Sequence, residues 1–341
     1  MNRSAGISDK SVTPPPNRTV APLPGYNSWP FLAPLNGKLV CVYSRGIEHS
    51  FAEPARGVYS RVSADGGETW SGEYPVVNAP DGGDSAIGKG LDGGAMLVWV
   101  RHVGEEWRHE LYRTEDGVRF QRIAQLLPDP MPMQITDIFA VPGAGLMSLW
   151  FAGNYRERGG HSWGTLVSRD HGMTWEQNVV ESDLDKSDWP TEPSAVWLGG
   201  GRILAVARAE TCAGQLERAQ FQLQSEDCGR TWKRFRTDIA DVQESTPSLI
   251  FDKGLIYNYY FQRTAGMLKC RTAAPDAVWG KPLDWPEPEV VALGSTESYH
   301  AGNVNAALCG DAHGLAFYSG TEDGTEIVFQ KVPRRAALPL R

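Results

Sequence analysis

The sequence predicts an all-β chain folded as a six-bladed β-propeller, and three observations predict it. An octapeptide of pattern Ser-x-Asp-x-Gly-x-Thr-Trp occurs three times, as SADGGETW (63–70), SRDHGMTW (168–175) and SEDCGRTW (225–232). Gly-led apolar strands recur six times: GKLVCVYS (37–44), GAMLVWV (94–100), GLMSLWFAG (145–153), GRILAVARA (201–209), GLIYNYYF (254–261) and GLAFYSG (314–320). No stretch keeps the apolar spacing of an amphipathic helix.

The octapeptides give the period. Trp70, Trp175 and Trp232 close the full copies, and the first gap is about twice the second, which places a missed copy near 120. TEDGVRF (114–120) is that copy, one residue shorter and ending in Phe120; RTAAPDAVW, ending at Trp279, is a weaker fifth. The five aromatic ends are then 50, 55, 57 and 47 residues apart, the length of one propeller blade. Each Gly-led strand is followed by another short strand, such as GVYSRVS (57–63) or AQFQLQS (219–225), rich in β-branched and aromatic residues. Radial repetition of such small antiparallel sheets keeps their edges short. The propeller is expected over 25–333, after a Ser/Thr/Pro-rich flexible or strap-like segment, 1–24, and before a C-terminal tail, 334–341.

Each octapeptide lies between two strands of one unit and so reads as a hairpin turn. Ser and Asp side chains bond local amides, Gly accepts positive φ, and Trp wedges into the neighbouring unit. A reaction needs its acid once, whereas this turn recurs; Asp65, Asp170 and Asp227 are therefore scaffold.

Bulk properties exclude several classes. A net charge of −8 argues against a nucleic-acid or anionic-membrane surface. Five dispersed cysteines, with no CxxC, argue against a disulfide framework or a zinc site, and no cofactor or metal is expected. Cys41, Cys270 and Cys309 sit in apolar runs and read as core thiols. No window is long and apolar enough to cross a membrane as a helix. The start MNRSAGISDK has no apolar leader core, which makes the cytoplasm the default expectation. Twelve tryptophans suit core wedges or sugar-stacking platforms.

The octapeptide resembles the Asp-box (bacterial neuraminidase repeat) of the sialidase superfamily, and its three full copies run in phase with the six strand pairs. Asp-boxes also occur in propellers that only bind. The resemblance implies a site of three carboxylate-binding arginines, a tyrosine nucleophile paired with a glutamate, and an acid/base on a loop. Arginine suits the first task because its planar fork makes two parallel charge-assisted hydrogen bonds to a carboxylate.

Carried over position by position, EPSAVWLGGGRILAVARAE resembles the segment in which a Glu opens one strand and an Arg closes the next, which implies Glu192 and Arg208. TPSLIFDKGLIYNYYFQRT resembles the strand pair ending in another carboxylate-binding Arg and implies Arg263, with Lys269 and Arg271 nearby. STESYHAGNVNAALCG resembles the tyrosine-bearing strand and implies Tyr299, which stands beside Ser298, His300 and Asn303. The first unit departs from the family: aligning NSWP on Pro30 places Ser28 where the first arginine is expected, and Arg45, in YSRGIEHS, is the replacement cation. The loop 44–57 contains no Asp, so Glu48, His49 and Glu53 are its candidate proton donors. Two further loops, 99–110 and 152–163, mix His, Arg and Trp in a way that suits either a sugar pocket or ordinary solvent exposure.

The function this implies is an exo-acting, retaining glycosidase on sialic acid or a related acidic sugar, with a carbohydrate partner. Two alternatives stay open: a non-catalytic glycan-binding propeller, and a propeller glycosidase or lyase acting on a neutral sugar or a uronic acid through His and Tyr. Convergence of His49, His102, His161 and His300 would favour the last.

Overall fold

The computed structural model describes residues 14–49, 56–77, 83–104, 107–210, 219–242, 245–297 and 299–334. Glu53, Cys212 and Ser298 lie outside the described residues. The chain runs through β1 (Arg18–Ala21), β2 (Tyr26–Leu35), β3 (Lys38–Gly46), β4 (Gly57–Ser63) and β5 (Tyr74–Val77), then β6 (Ser85–Asp92), β7 (Ala95–His102), β8 (Arg108–Thr114) and β9 (Gln121–Leu126). It continues with β10 (Gln134–Val141), β11 (Gly145–Ala152), β12 (His161–Ser168) and β13 (Glu176–Leu184), and with β14 (Pro190–Gly199), β15 (Arg202–Ala209), β16 (Phe221–Ser225) and β17 (Lys233–Arg236). The last groups are β18 (Ser248–Asp252), β19 (Leu255–Gln262), β20 (Met267–Ala273) and β21 (Glu289–Leu293), then β22 (Ala301–Cys309), β23 (Ala312–Thr321) and β24 (Gly324–Pro333).

The all-β expectation holds, but that of six separate blades does not. Four sheets, β6–β9, β10–β13, β14–β17 and β18–β21, are independent four-stranded blades. The other eight strands form one sheet in the order β22-β23-β24-β2-β3-β4-β5, with β1 against β24. The fusion is a short parallel contact, Tyr26 opposite Thr325, fixed by Asn27 Nδ2 donating to the Thr325 carbonyl at 2.9 Å. The two ends of the chain thus share one ladder where the repeat predicted a boundary. The innermost strands β2, β6, β10, β14, β18 and β22 each pack on the next around one axis.

Between neighbouring sheets lie separate apolar cores. Leu97, Trp99 and Leu111 of one blade meet Ile135, Leu146 and Trp150 of the next, and Tyr259, Phe261 and Leu268 meet Val304, Leu315 and Phe317. The octapeptide turns close these interfaces. Ser63 Oγ accepts from Gly67 N at 2.7 Å, and Asp65 Oδ1 accepts from Thr69 N at 2.9 Å; the same bonds recur at Ser168–Thr174 and Ser225–Thr231. The tryptophan then wedges backwards: Trp175 lies 5.1 Å from Trp99, Trp232 lies 5.9 Å from Trp163, and Trp70 lies 5.7 Å from Phe329. Gly67 has φ +92°, and a Cβ there would sit 2.2 Å from Phe329, so no larger residue fits. The shortened copy at 114–120 keeps the turn, with Thr114 Oγ1 and Asp116 Oδ1 as acceptors. The fifth, at 271–279, is instead a single helical turn, α1 (Pro275–Val278). Among the described residues, no helix is long and apolar enough to cross a membrane.

Candidate functional site

Three innermost strands break register at corresponding places, and each break carries a non-glycine residue at positive φ. These are Trp29 (φ 49°) in β2, Glu192 (φ 49°) in β14 and Asn303 (φ 47°) in β22. A bulge of this kind re-aims one side chain out of the alternating pattern. All three line a cavity on the axis, together with Ile87 of β6, Thr136 of β10 and Thr246 from the segment before β18. One end of the axis therefore gathers residues from five inner strands and from the lead into the sixth.

Glu192 is 5% exposed. Its carboxylate accepts from Thr246 Oγ1 at 2.7 Å and from Arg208 Nη1 at 3.3 Å. Arg208 closes β15 and lies across from Thr191 in the ladder. Its remaining fork is held by Glu210, with Nε 2.8 Å from one carboxylate oxygen and Nη2 3.2 Å from the other, and Tyr155 stands 5.7 Å from its guanidinium carbon. Although burial works against the Arg208 charge, Glu210 and Glu192 together raise its pKa further above the ordinary value. This arginine already has two carboxylates.

Arg263 differs. It is also 5% exposed, yet among the described residues it donates only to neutral acceptors: the Ala301 carbonyl at 3.0 Å, Asn303 Oδ1 at 3.2 Å and Tyr318 Oη at 3.1 Å. The ring of Tyr299 covers it at 5.3 Å. Tyr299 is itself 47% exposed and has φ 68°. Tyr318 is fully buried, and burial raises its pKa against the opposing effect of Arg263.

His49 faces this group. Its ring lies 6.1 Å from Tyr299 and 5.7 Å from Trp29. Burial, followed by the charges of Arg263 and Arg56, pushes its pKa down to about 3, with His300 and Arg208 adding to the effect. His49 is therefore a neutral imidazole at neutral pH. Glu48 is exposed, and its carbonyl accepts from Arg56 Nη2 at 2.6 Å.

Of the residues expected at the site, Glu192, Arg208, Arg263, Tyr299 and His49 come together at this mouth. Arg45 turns elsewhere: its guanidinium pairs with Glu73, donates to Asn27 Oδ1 at 2.8 Å and lies over the Tyr59 ring. The sequence reading missed Arg56, which is fully buried, stacks 4.5 Å over Trp29 and donates to Ser28 Oγ at 3.1 Å. The position where a cation is missing from β2 is thus occupied by a serine that holds a cation from the segment before β4. Tyr26 and Arg101 were missed too. Arg101 is buried below Trp107, 5.3 Å away, and burial lowers its pKa to about 10. The histidines divide: His49 and His300 converge on Tyr26, His102 lies between Asp84 and Glu110, and His161 stacks on Trp189 at 4.1 Å.

No family model and no curated protein sequence matches the chain. Solved structures do. A protein of unknown function from Dyadobacter fermentans is similar at TM-score 0.76 and 15% identity, covering 94% of this chain and 98% of its own. The NanB sialidase of Streptococcus pneumoniae is similar at TM-score 0.68 and 12% identity, covering 94% of this chain and 70% of its own. Trypanosoma rangeli sialidase, also solved in complex with sialic acid, is similar at TM-score 0.66 and 12% identity over 90% of this chain. This chain spans about half the length of that enzyme, 55%. At such identities the likeness is one of fold: a sialidase-like propeller.

Proposed function

We propose that the axial mouth binds an acidic sugar through its carboxylate and cleaves its glycosidic bond, as an exo-acting retaining glycosidase of the sialidase type. The observation that carries this is Arg263, a buried guanidinium with no carboxylate in its hydrogen-bonding shell among the described residues. A buried charge without a counter-charge is costly, and an anionic ligand removes that cost. Arg56 stacks over Trp29, Arg208 bonds Glu192 and Arg263 bonds Asn303, and these three partners line one cavity.

In this reading Arg263 and Arg56 take the carboxylate, with Arg208 beside them. The Tyr299 phenol attacks the anomeric carbon as the glycosidic C–O bond breaks, and its proton passes to Glu192. Glu48 protonates the leaving oxygen. Water then attacks the tyrosyl–sugar bond, His49 takes the proton from that water, and Tyr299 leaves. A neutral His49 fits the role of acceptor and does not fit that of donor.

The test is fluorophore release from a panel of acidic and neutral sugar glycosides, with Tyr299→Phe alongside. Turnover of an acidic glycoside that falls about 10³-fold or more in the mutant is the expected result. Turnover of neutral sugars alone, or a mutant as active as the parent, overturns the assignment. Retention of an acidic sugar without turnover in either protein supports a binding module.

One observation favours a second reaction at the same mouth. A neutral imidazole beside bound carboxylate suits elimination from a uronate: His49 removes the proton on the carbon next to the carboxylate, the electron pair forms the C=C bond, and the departing glycosidic oxygen takes the Tyr299 proton. Growth of the ultraviolet absorbance of an unsaturated uronate identifies this reaction, and bond cleavage without it excludes it.

A further inference from the structure

Tyr26 opens β2 and is 1% exposed. Its phenol oxygen has three partners: the Tyr299 carbonyl oxygen at 3.1 Å, His49 Nδ1 at 3.1 Å and His300 Nδ1 at 3.0 Å. A carbonyl oxygen only accepts, so the single phenol proton goes to Tyr299. The phenol oxygen then offers lone pairs alone, and each imidazole must meet it with Nδ1–H. All three contacts are hydrogen bonds in this one arrangement of protons. In a neutral ring, Nε2 is then the lone pair.

The network continues on its far side. The Tyr299 carbonyl also accepts from Tyr318 Oη at 3.0 Å, and Tyr318 in turn accepts from Arg263. Two phenols therefore hold Tyr299 in a left-handed conformation, φ 68°, that is strained for a non-glycine residue. The tyrosine that opens the first inner strand and the arginine that follows β19 are joined through one backbone carbonyl.

We propose that Tyr26 is a positioning residue that sets the Nδ1–H tautomer of both His49 and His300, so that the mouth presents imidazole Nε2 atoms as proton acceptors beside the Arg263 cation. Its value to a reaction rests on the reading that substrate binds at this mouth. The chemistry it selects is a ligand that brings a hydroxyl, a water or an acidic C–H to the imidazoles and an anionic group to the arginines.

The experiment needs no substrate. The full chain, with isotope-labelled histidine, is examined by two-bond nitrogen–proton correlation, which separates Nδ1–H from Nε2–H rings, and His49→Gln and His300→Gln assign the two signals. The parent protein should show Nδ1–H at both. Tyr26→Phe keeps the ring and removes the oxygen, so both signals should lose that pattern, whereas Tyr318→Phe, which removes the other donor to Tyr299, should leave it in place. An Nε2–H ring at either histidine of the parent, or the Nδ1–H pattern surviving in Tyr26→Phe, overturns the proposal. Should Tyr26→Phe fail to fold, the parent spectrum still decides it. Finding the tautomers without sugar turnover would sink the glycosidase reading and leave this one standing.

Discussion

His49 is half-buried and His102 buried, and their surroundings carry opposite charge. His102 is 3% exposed. Its Nε2 lies 2.6 Å from Glu110, and its Nδ1 is ion-paired with Asp84. Burial alone would lower its pKa, but the bonds to Asp84 and Glu110 outweigh burial and raise it. At His49, burial and the arginines act in the same direction and bring the value to about 3. One residue type thus has its pKa raised in one blade and lowered on the axis. The two are coupled through the backbone, because Asp84 N donates to the Arg56 carbonyl at 3.0 Å. The partner of His102 therefore also anchors the segment that carries Arg56, one of the charges that act on His49.

Removing His102 is the hardest test of this contrast. His102→Ala leaves the Asp84 and Glu110 carboxylates facing each other, and the expected loss of stability is about 3–5 kcal/mol, read from the urea midpoint. A loss below about 1 kcal/mol would mean that the cluster is held by other cations, Arg108 and Arg122, which also reach Glu110.

A second test uses pH, and the two histidines give opposite signs. The folded-state pKa of His102 is raised, so its contribution is complete below the unfolded value of about 6.5 and is lost as pH rises through the folded value. The folded-state pKa of His49 is depressed, so its contribution is present above about 6.5 and is lost as pH falls towards the folded value. His49→Gln should flatten part of the acid limb of the stability profile and His102→Gln the alkaline limb. Only part of the acid limb goes, because burial also lowers His109 to about 3. Urea midpoints across the pH range check this, and a His49→Gln profile parallel to the parent at low pH would mean that His49 is not held neutral.

What the sequence revealed depended on how local each device is. The octapeptide turns were legible because Ser63, Asp65, Gly67 and Thr69 bond one another within a few residues. The fused sheet was not, because its link joins Asn27 to Thr325, 298 positions away. Glu192, Arg208 and Arg263 came from the resemblance of their strand pairs to those of the sialidase superfamily. Arg56 could not: ARG follows no strand pattern, and its burial depends on Trp29 and Ser28 from another strand. Arg45 shows the opposite failure. It sits at a strand end like Arg208, but one residue further along: Ser44 is opposite Ser28 where Arg208 is opposite Thr191, and a one-residue shift exchanges the faces of a strand.

Arg45 therefore supplies the smallest expected effect and the control for the rest. Its side chain is 27% exposed and that of its partner Glu73 is 21% exposed, so the pair is screened and contributes little despite good geometry. Arg45→Gln should cost about 0.2–1 kcal/mol in the urea midpoint. Arg263→Gln, in contrast, should cost an acidic sugar about 10-fold or more in affinity, the loss expected for one charge-assisted pair, while Arg45→Gln should leave that affinity unchanged. Titration of both variants with the same sugar acid reads the difference. Equal weakening by the two would extend the binding surface from the axis to the Glu73 side of β3, and the division between the arginines that face His49 and the one that does not would no longer hold.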